Sequence, residues 1–170
     1  VFRLEDFQPD RMKLAVDLTG DELAGWMQPA GIKADVSLQT LFGFPAAKRK
    51  LLARMELNPG DFAFAQFPDY VFHNRLPRPE EDEEAPEPGQ KVSLGEQTTD
   101  DAGAAQFDLR LERFDQSVFQ VSLLVEGFEA DGGRSVRGGK SFLVAALPYV
   151  VGCKPDARLE YLGKDTAANV

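Results

Sequence analysis

Histidine and cysteine are almost absent from this sequence of 170 residues, which contains one of each. Because Cys153 stands alone, the chain can form no internal disulfide and no metal site built on paired thiolates. Nucleophilic catalysis of the usual kind needs a base beside a serine or cysteine, and the residues around His73 complete no such motif. We interpret His73 as a surface or edge residue, and the sequence predicts no catalytic, cofactor-binding or metal-binding residue.

An excess of positive charge is also lacking. The formal net charge is −9 and the pI is about 4.7, whereas binding to nucleic acid phosphates or anionic membranes requires a basic surface. Two short basic groups lie at Lys48–Lys50 and at Arg134–Lys140, and we interpret both as solvated turn or strand faces. The sequence therefore predicts no nucleic acid partner.

No apolar run approaches the roughly 18 residues that span a bilayer, and the chain begins at Val1 without a methionine or a signal peptide. A length of 170 residues with 43% hydrophobic content is enough for one main domain with a buried core. We interpret the chain as a soluble domain cut from a longer secreted or periplasmic protein. A single cysteine is compatible with a periplasmic or a cytoplasmic environment.

Alternation of apolar and polar residues is the clearest pattern in the chain, and a period of two is typical of half-buried strands. Strands are predicted over residues 12–18, 32–42, 50–57, 107–112, 119–126 and 134–147, with a weaker one over 92–98. The segments 107–112 and 119–126 are interpreted as a hairpin, and Phe42 is placed on the apolar side of its strand. About seven strands separated by turns predict an all-β, immunoglobulin-like antiparallel β-sandwich.

The segment Arg75–Gly89 breaks this pattern, because four prolines surround five consecutive acidic residues. Charge repulsion and missing backbone donors predict a long, mobile, acidic loop. Consecutive acids point in all directions, so a calcium site is disfavoured. Five aromatic residues precede the loop and are predicted to pack as a lid on the sandwich edge, rather than as a ligand platform: Phe62, Phe64, Phe67, Tyr70 and Phe72.

Six phrases of the sequence occur in an order that resembles one known family. They are Phe2–Met12, Leu41–Ala47, Asp69–Phe72, Thr98–Ala105, Val125–Val136 and Pro148–Lys154. Together they are similar to a macroglobulin-like domain of the bacterial alpha-2-macroglobulin family. The resemblance implies a linker over residues 1–6, the sandwich domain over 7–148, and a linker with the first strand of the next domain over 149–170. The family's Cys-x-Glu-Gln thioester motif is absent, since Lys-Pro-Asp follows Cys153.

The resemblance also implies a function. The chain would be a structural, non-enzymatic domain, without cofactors, of an endopeptidase inhibitor that traps proteases by conformational change. Its partners would be the neighbouring macroglobulin domains of the same chain, with proteases bound through the full-length protein. The parent would be periplasmic, anchored in the inner membrane as a lipoprotein, with this domain away from the membrane. The alternative is an adhesive or envelope-binding immunoglobulin-like module without inhibitor activity, since one fold serves many functions.

Overall fold

A computed structural model describes residues 11–72, 89–114, 118–130 and 134–154. Its strands are β1 (Met12–Thr19), β2 (Lys33–Thr40), β3 (Lys50–Pro59), β4 (Val71–Phe72), β5 (Gln90–Thr98), β6 (Ala104–Asp108), β7 (Phe119–Phe128), β8 (Ser135–Val144) and β9 (Gly152–Cys153). A single-turn 3-10 helix, Leu111–Phe114, lies between β6 and β7. The pairings between these strands are all antiparallel.

Seven of the strands form two sheets that pack face to face. The first sheet has the order β1-β2-β6 and the second the order β5-β3-β7-β8, while β4 and β9 form a small pair of their own. This arrangement confirms the predicted all-β, immunoglobulin-like sandwich of about seven strands. The predicted acidic loop lies, except for Gly89, outside the described residues.

The core lies between the sheets and follows the predicted alternation. On β3, Leu51, Ala53, Met55 and Leu57 are each at most 2% exposed, and every second residue of β7 from Phe119 onward is buried. Full burial of a leucine or methionine side chain stabilises the fold by about 1.5–3 kcal/mol. The inward faces predicted for these two strands are therefore confirmed.

One side of the sandwich is closed by contacts between β1 and β8, which belong to different sheets. Leu14 of β1 packs over two glycines of the other sheet, Gly127 and Gly138, and a methyl group added at Gly138 would lie only 2.6 Å from Leu14 Cδ2. The ammonium group of Lys140 lies 3.1 Å from a carboxylate oxygen of Asp17. Glycine at these positions thus lets the two sheets approach each other.

The predicted hairpin between residues 107–112 and 119–126 is wrong. β6 pairs with β2, where Phe107 lies opposite Ala34, whereas β7 pairs with β3 and β8 in the other sheet. Arg110 adopts a positive φ of 49° and turns the chain out of β6, and the 3-10 helix then carries it across to the second sheet. Leu111 is buried in the helix, so the apolar alternation continues past the end of the strand. Alternation reports which side chains are buried, but not the sheet to which a strand belongs.

Two further expectations are corrected at the strand ends. The strand predicted over 32–42 ends at Thr40, and Phe42 is 89% exposed instead of facing the core. The final segment was expected to be a core strand, but β8 is an edge strand in which Val144 alone is buried. An edge strand has a partner on one side only, so fewer of its side chains are covered by neighbouring strands.

Asp35, on the outer face of the first sheet, gives the domain an acid-sensitive contact. Its carboxylate accepts hydrogen bonds from Gln106 Nε2, at 2.7 Å, and from the Thr19 hydroxyl. These bonds, first that of Gln106, hold the pKa of Asp35 below its ordinary value. The unfolded chain therefore binds this proton at a higher pH than the folded one, and the contribution of Asp35 to stability is lost as the pH falls through the folded pKa.

We expect the substitution Asp35→Asn to flatten the acid side of the stability profile. Urea denaturation between pH 7 and pH 3 would show a smaller fall in the free energy of unfolding for this variant than for the wild-type chain. Asp101→Asn, in an exposed turn, is the matched control and is expected to keep the wild-type slope. An identical slope in Asp35→Asn and wild type would contradict the role assigned to Asp35.

Candidate interaction surfaces at the two ends of the sandwich

The chain enters the sandwich at one end and leaves it at the other. At the incoming end, the backbone N–H of Leu41 donates to the carbonyl oxygen of Arg11, at 3.1 Å. At the outgoing end, Trp26 Nε1 and Gln28 Nε2 donate to the carbonyl oxygen of Leu147, at 2.9 and 2.8 Å. Any neighbouring domain that precedes or follows this one therefore meets a different end.

The incoming end is held by a buried threonine. Thr99 is 2% exposed, and its hydroxyl donates to the carbonyl oxygen of Ala46, at 2.7 Å, and accepts from the backbone N–H of Arg49, at 2.8 Å. Both bonds tie the connection between β2 and β3 to the end of β5. They also join two of the phrases on which the family resemblance rested, Leu41–Ala47 and Thr98–Ala105.

A glycine turn follows Thr99 and reaches the same connection. Asp100 Oδ1 accepts from the backbone N–H groups of Ala102 and Ala104, and Gly103 N donates to the carbonyl oxygen of Asp100. Gly103 has a φ of +75°, and its carbonyl oxygen accepts from Leu38 N at 2.8 Å. A side chain here would overlap the Leu38 carbonyl oxygen, so this turn requires glycine.

In front of this anchor lies a short apolar turn, Thr40–Phe44, which we call the Phe42 turn. Leu41, Phe42 and Phe44 are 62%, 89% and 68% exposed. Thr40 N donates to the carbonyl oxygen of Phe44, at 2.9 Å, and Gly43 N donates to that of Thr40, at 2.9 Å. Three exposed apolar side chains are therefore held on a hydrogen-bonded turn.

The outgoing end has its own aromatic cluster, separate from the core between the sheets. Trp26 and Phe62 are each 6% exposed, with ring centroids 5.3 Å apart, and the Phe64 and Phe72 rings meet edge to face at 4.7 Å. The remaining residues are Val118 and Ala145, with Leu23, Leu143, Leu147 and Val150 packed against them. Three of the five aromatic residues predicted to form a lid are thus in the cluster, while Phe67 and Tyr70 stay half exposed.

Sequence reasoning missed Trp26, because residues 19–31 contain many turn formers and show no alternation. The segment is nevertheless tied to β8, since Met27 N donates to the carbonyl oxygen of Leu143, and Ala145 N donates to that of Met27. One signal was available, because the large apolar side chain of tryptophan is on average highly buried.

A shallow groove of about 400 Å³ opens beside this cluster. Its lining is chiefly apolar, with Leu23, Trp26, Phe64, Phe67 and Tyr149, and no charged residue is among the described residues that line it. Tyr149 is 73% exposed on its rim. Such a surface suits contact with another apolar surface better than the binding of a polar substrate.

The described ranges contain no group of three or more His, Cys, Asp or Glu side chains that could hold a metal ion. Cys153 is exposed, and His73 lies outside the described residues. Glu126 has a lowered pKa, first because the Ser135 hydroxyl donates to it and then because of Arg137. A lowered pKa keeps a carboxylate ionised, whereas a general acid at neutral pH needs a raised one.

Within the part of the chain that the structure describes, no helix has the length and apolar character needed to cross a bilayer.

The sequence matches one known family of domains over most of its length. The model of the bacterial alpha-2-macroglobulin MG5 domain matches residues 10–143. This chain belongs to the bacterial alpha-2-macroglobulin family. The family resemblance carried by the sequence phrases is therefore confirmed.

Curated relatives give the same result. The chain is 37% identical over 168 residues to the alpha-2-macroglobulin of Rickettsia conorii, covering 99% of this chain and 8% of that protein. It is 38% identical over 162 residues to the alpha-2-macroglobulin homolog of Yersinia pestis, covering 95% of this chain and 8% of that protein. The chain thus spans about a twelfth of the alpha-2-macroglobulins that it matches, as expected of one domain in a multidomain protein.

Solved structures agree with this fold. The crystal structure of Salmonella alpha-2-macroglobulin reacted with methylamine superposes with a TM-score of 0.60 at 27% identity, covering 84% of this chain and 9% of that one. The Y1175G mutant of the Salmonella protein superposes with a TM-score of 0.59 at 26% identity.

The boundaries 7–148 for this macroglobulin domain stay a prediction. Gly152 and Cys153, in the segment assigned to the following linker, pair with Phe72 and Val71.

Proposed function

We propose that this domain is a structural element of an alpha-2-macroglobulin that inhibits endopeptidases by trapping them, and that it performs no catalysis itself. The observation that carries the proposal is the position of its exposed apolar groups. They lie at the two ends where the chain enters and leaves a well-packed sandwich, as a domain that packs against its neighbours along one polypeptide requires.

The structure suits a scaffold that moves as a unit. Its core is closed between two sheets, and the turns at the incoming end are fixed by the buried Thr99 and by Gly103. Interfaces between domains of one chain typically bury about 600–1,500 Å² and allow relative motion. A rigid domain with small contact surfaces at its ends can therefore shift against its neighbours when the parent protein is cleaved by a protease.

Trapping makes a specific prediction for the full-length parent protein. Mixed with a broad-specificity protease, it is expected to abolish cleavage of a large protein substrate while cleavage of a small peptide substrate continues, because a trapped protease keeps its active site but is shielded from large molecules. Both rates are measured in the same reaction mixture, against a control with heat-denatured parent protein.

The 170-residue domain alone is expected to leave both rates unchanged, and inhibition by the domain would contradict a purely structural role. Unchanged cleavage of the large substrate by the protease mixed with intact parent would reject trapping. That result would favour the alternative, an adhesive or envelope-binding module of the same fold.

We further propose that the parent is periplasmic and is held at the inner membrane as a lipoprotein. The family assignment supports the proposal, and the acidic composition suits a domain that stays away from anionic membrane surfaces. Cell fractionation followed by mass spectrometry of the parent's amino terminus tests this directly. A cytoplasmic parent without a lipid would overturn it.

A further inference from the structure

The Phe42 turn presents the most exposed large hydrophobic side chain of the described residues. Phe42 is 89% exposed, and Leu41 and Phe44 beside it are 62% and 68% exposed. Single exposed apolar residues are common, but a contiguous group of them marks a surface that contacts another molecule or domain. Aromatic side chains in particular tend to supply most of the binding energy of such contacts.

The turn is held in one conformation before any partner binds. Besides the bonds within the turn, Phe44 N donates to the Thr40 hydroxyl at 3.2 Å, and Ala46 N donates to the carbonyl oxygen of Leu38 at 3.0 Å. Behind them, Gly103 and Thr99 fix the connection to the opposite sheet. A rigid turn loses little conformational freedom on binding, so more of the contact energy is available for affinity.

The charges around the turn describe the surface that it fits. Lys48 and Arg49 follow it in the chain and Arg11 lies beside Leu41, although the chain as a whole has a net charge of −9. Two acids, Asp100 and Asp101, lie in the neighbouring turn; Asp101 is exposed, and one carboxylate oxygen of Asp100 accepts two backbone N–H groups of that turn. The three basic residues still outnumber these two acids. An apolar pocket with acidic residues on its rim is the complementary partner surface.

The position of the turn selects the partner. Leu41 is hydrogen-bonded to Arg11, where the chain comes into the sandwich, so a domain on the amino-terminal side is tethered next to the turn. A short tether gives an effective concentration in the millimolar range, far above that of a second molecule in solution. We propose that the Phe42 turn inserts into an apolar, acid-rimmed pocket of the macroglobulin domain that precedes this one in the same polypeptide. The proposal rests on the multidomain parent described under the proposed function.

Photo-crosslinking in the full-length parent tests the contact. The substitution Phe42→p-benzoylphenylalanine places a photoreactive ring at the tip of the turn, and the crosslinked peptides are identified by mass spectrometry. We expect crosslinks to residues of the parent that precede Val1, within one molecule, so that no band of doubled mass appears on a denaturing gel. The matched control is Tyr149→p-benzoylphenylalanine, because Tyr149 is an aromatic residue 73% exposed at the outgoing end. We expect this control to form no crosslinks to the same peptides.

Four outcomes would overturn the proposal: crosslinks from position 42 only to residues 1–154 of this chain, crosslinks to residues after Lys154, crosslinks between two molecules, or no crosslink at all. Protease trapping is measured separately on the wild-type parent. If the contact is wrong, the parent still traps proteases but the expected crosslinks are missing; if trapping is wrong, the crosslinks form but the parent does not inhibit.

A second measurement tests whether the contact stabilises the partner. In the full-length parent, Phe42→Ser is expected to speed hydrogen exchange about tenfold in the preceding-domain peptides that face the turn, because an aromatic anchor is lost. Exchange in the core strand peptides around Met55 is expected to stay unchanged, since Phe42 does not touch the core. The matched variant Tyr149→Ser should not alter the preceding domain. Equal exchange in Phe42→Ser and wild type would contradict the proposal.

Discussion

Replacing Gly103 with alanine is expected to lower the free energy of unfolding of this domain by about 3 kcal/mol. Two effects add. The φ of +75° is unfavourable for any residue with a Cβ, and the new methyl group would overlap the carbonyl oxygen of Leu38 and lie 3.0 Å from Ala46 N. Both neighbours are backbone atoms held by hydrogen bonds, so the chain can relieve the overlap only by opening the turn.

Gly31 is the matched control for this substitution. Its φ is +71°, but a methyl group added there would meet nothing within 4 Å. Gly31→Ala therefore isolates the backbone term and is expected to cost only about 1 kcal/mol. Urea denaturation can be followed by the fluorescence of Trp26, the only tryptophan in the chain and 6% exposed in the folded state. Equal losses in the two variants would show that the overlap at Gly103 is relieved at no cost.

Trp26→Ala is expected to destabilise the domain by about 4 kcal/mol, since it removes a large buried aromatic side chain and leaves a cavity. The indole also contacts Phe62 and Phe64 and donates to the carbonyl oxygen of Leu147, so its loss would weaken the attachment of the chain after β8 to the segment between β1 and β2. Circular dichroism is the appropriate probe, because the variant lacks the fluorophore.

Two control substitutions separate the contribution of the buried Trp26 ring from that of its N–H donor and from that of a half-exposed neighbouring ring. Trp26→Phe keeps an aromatic ring but loses the N–H donor, and since Gln28 also donates to the Leu147 carbonyl oxygen, we expect a loss of about 1–2 kcal/mol. Phe67→Ala removes a neighbouring ring that is 47% exposed and is expected to cost about 0.5 kcal/mol. A Trp26→Ala midpoint close to that of Phe67→Ala would mean that the aromatic cluster contributes little to global stability.

The sequence predicts the strands of this domain well where one face is buried along the whole strand. In β3, Leu51 to Leu57 alternate because every second residue faces the opposite sheet. In β6 the same signal was misleading, because the apolar spacing runs on from Phe107 through Leu109 to Leu111, although the strand ends at Asp108 and the chain turns away at Arg110. Local spacing determines burial, whereas strand partners are determined by contacts between residues distant in the chain.

The surfaces at the two ends were less predictable than the strands. Phe42 continues the alternation of β2, and only the hydrogen bonds between Thr40 and Phe44 show that the chain has already turned away from the core. Trp26 is buried by residues from other parts of the chain, such as Phe62, and its own segment shows no periodicity. The phrase around Thr99 and Gly103 was recognised from family resemblance. Only the structure explains why these residues are needed: the Thr99 hydroxyl is buried and hydrogen-bonded, and the turn at Gly103 has room for glycine alone.

The arrival and departure of the chain at opposite ends bears on how the domain responds to mechanical load. A pull on the two flanking segments acts along the strand axes, since β1 begins at the incoming end and β8 runs toward the outgoing one. The hydrogen bonds between β1 and β2 and between β7 and β8 are then strained together in shear rather than broken one after another. The pair of β4 and β9 has only two residues in each strand, so we expect it to open first under tension and to lengthen the outgoing connection before the sandwich opens.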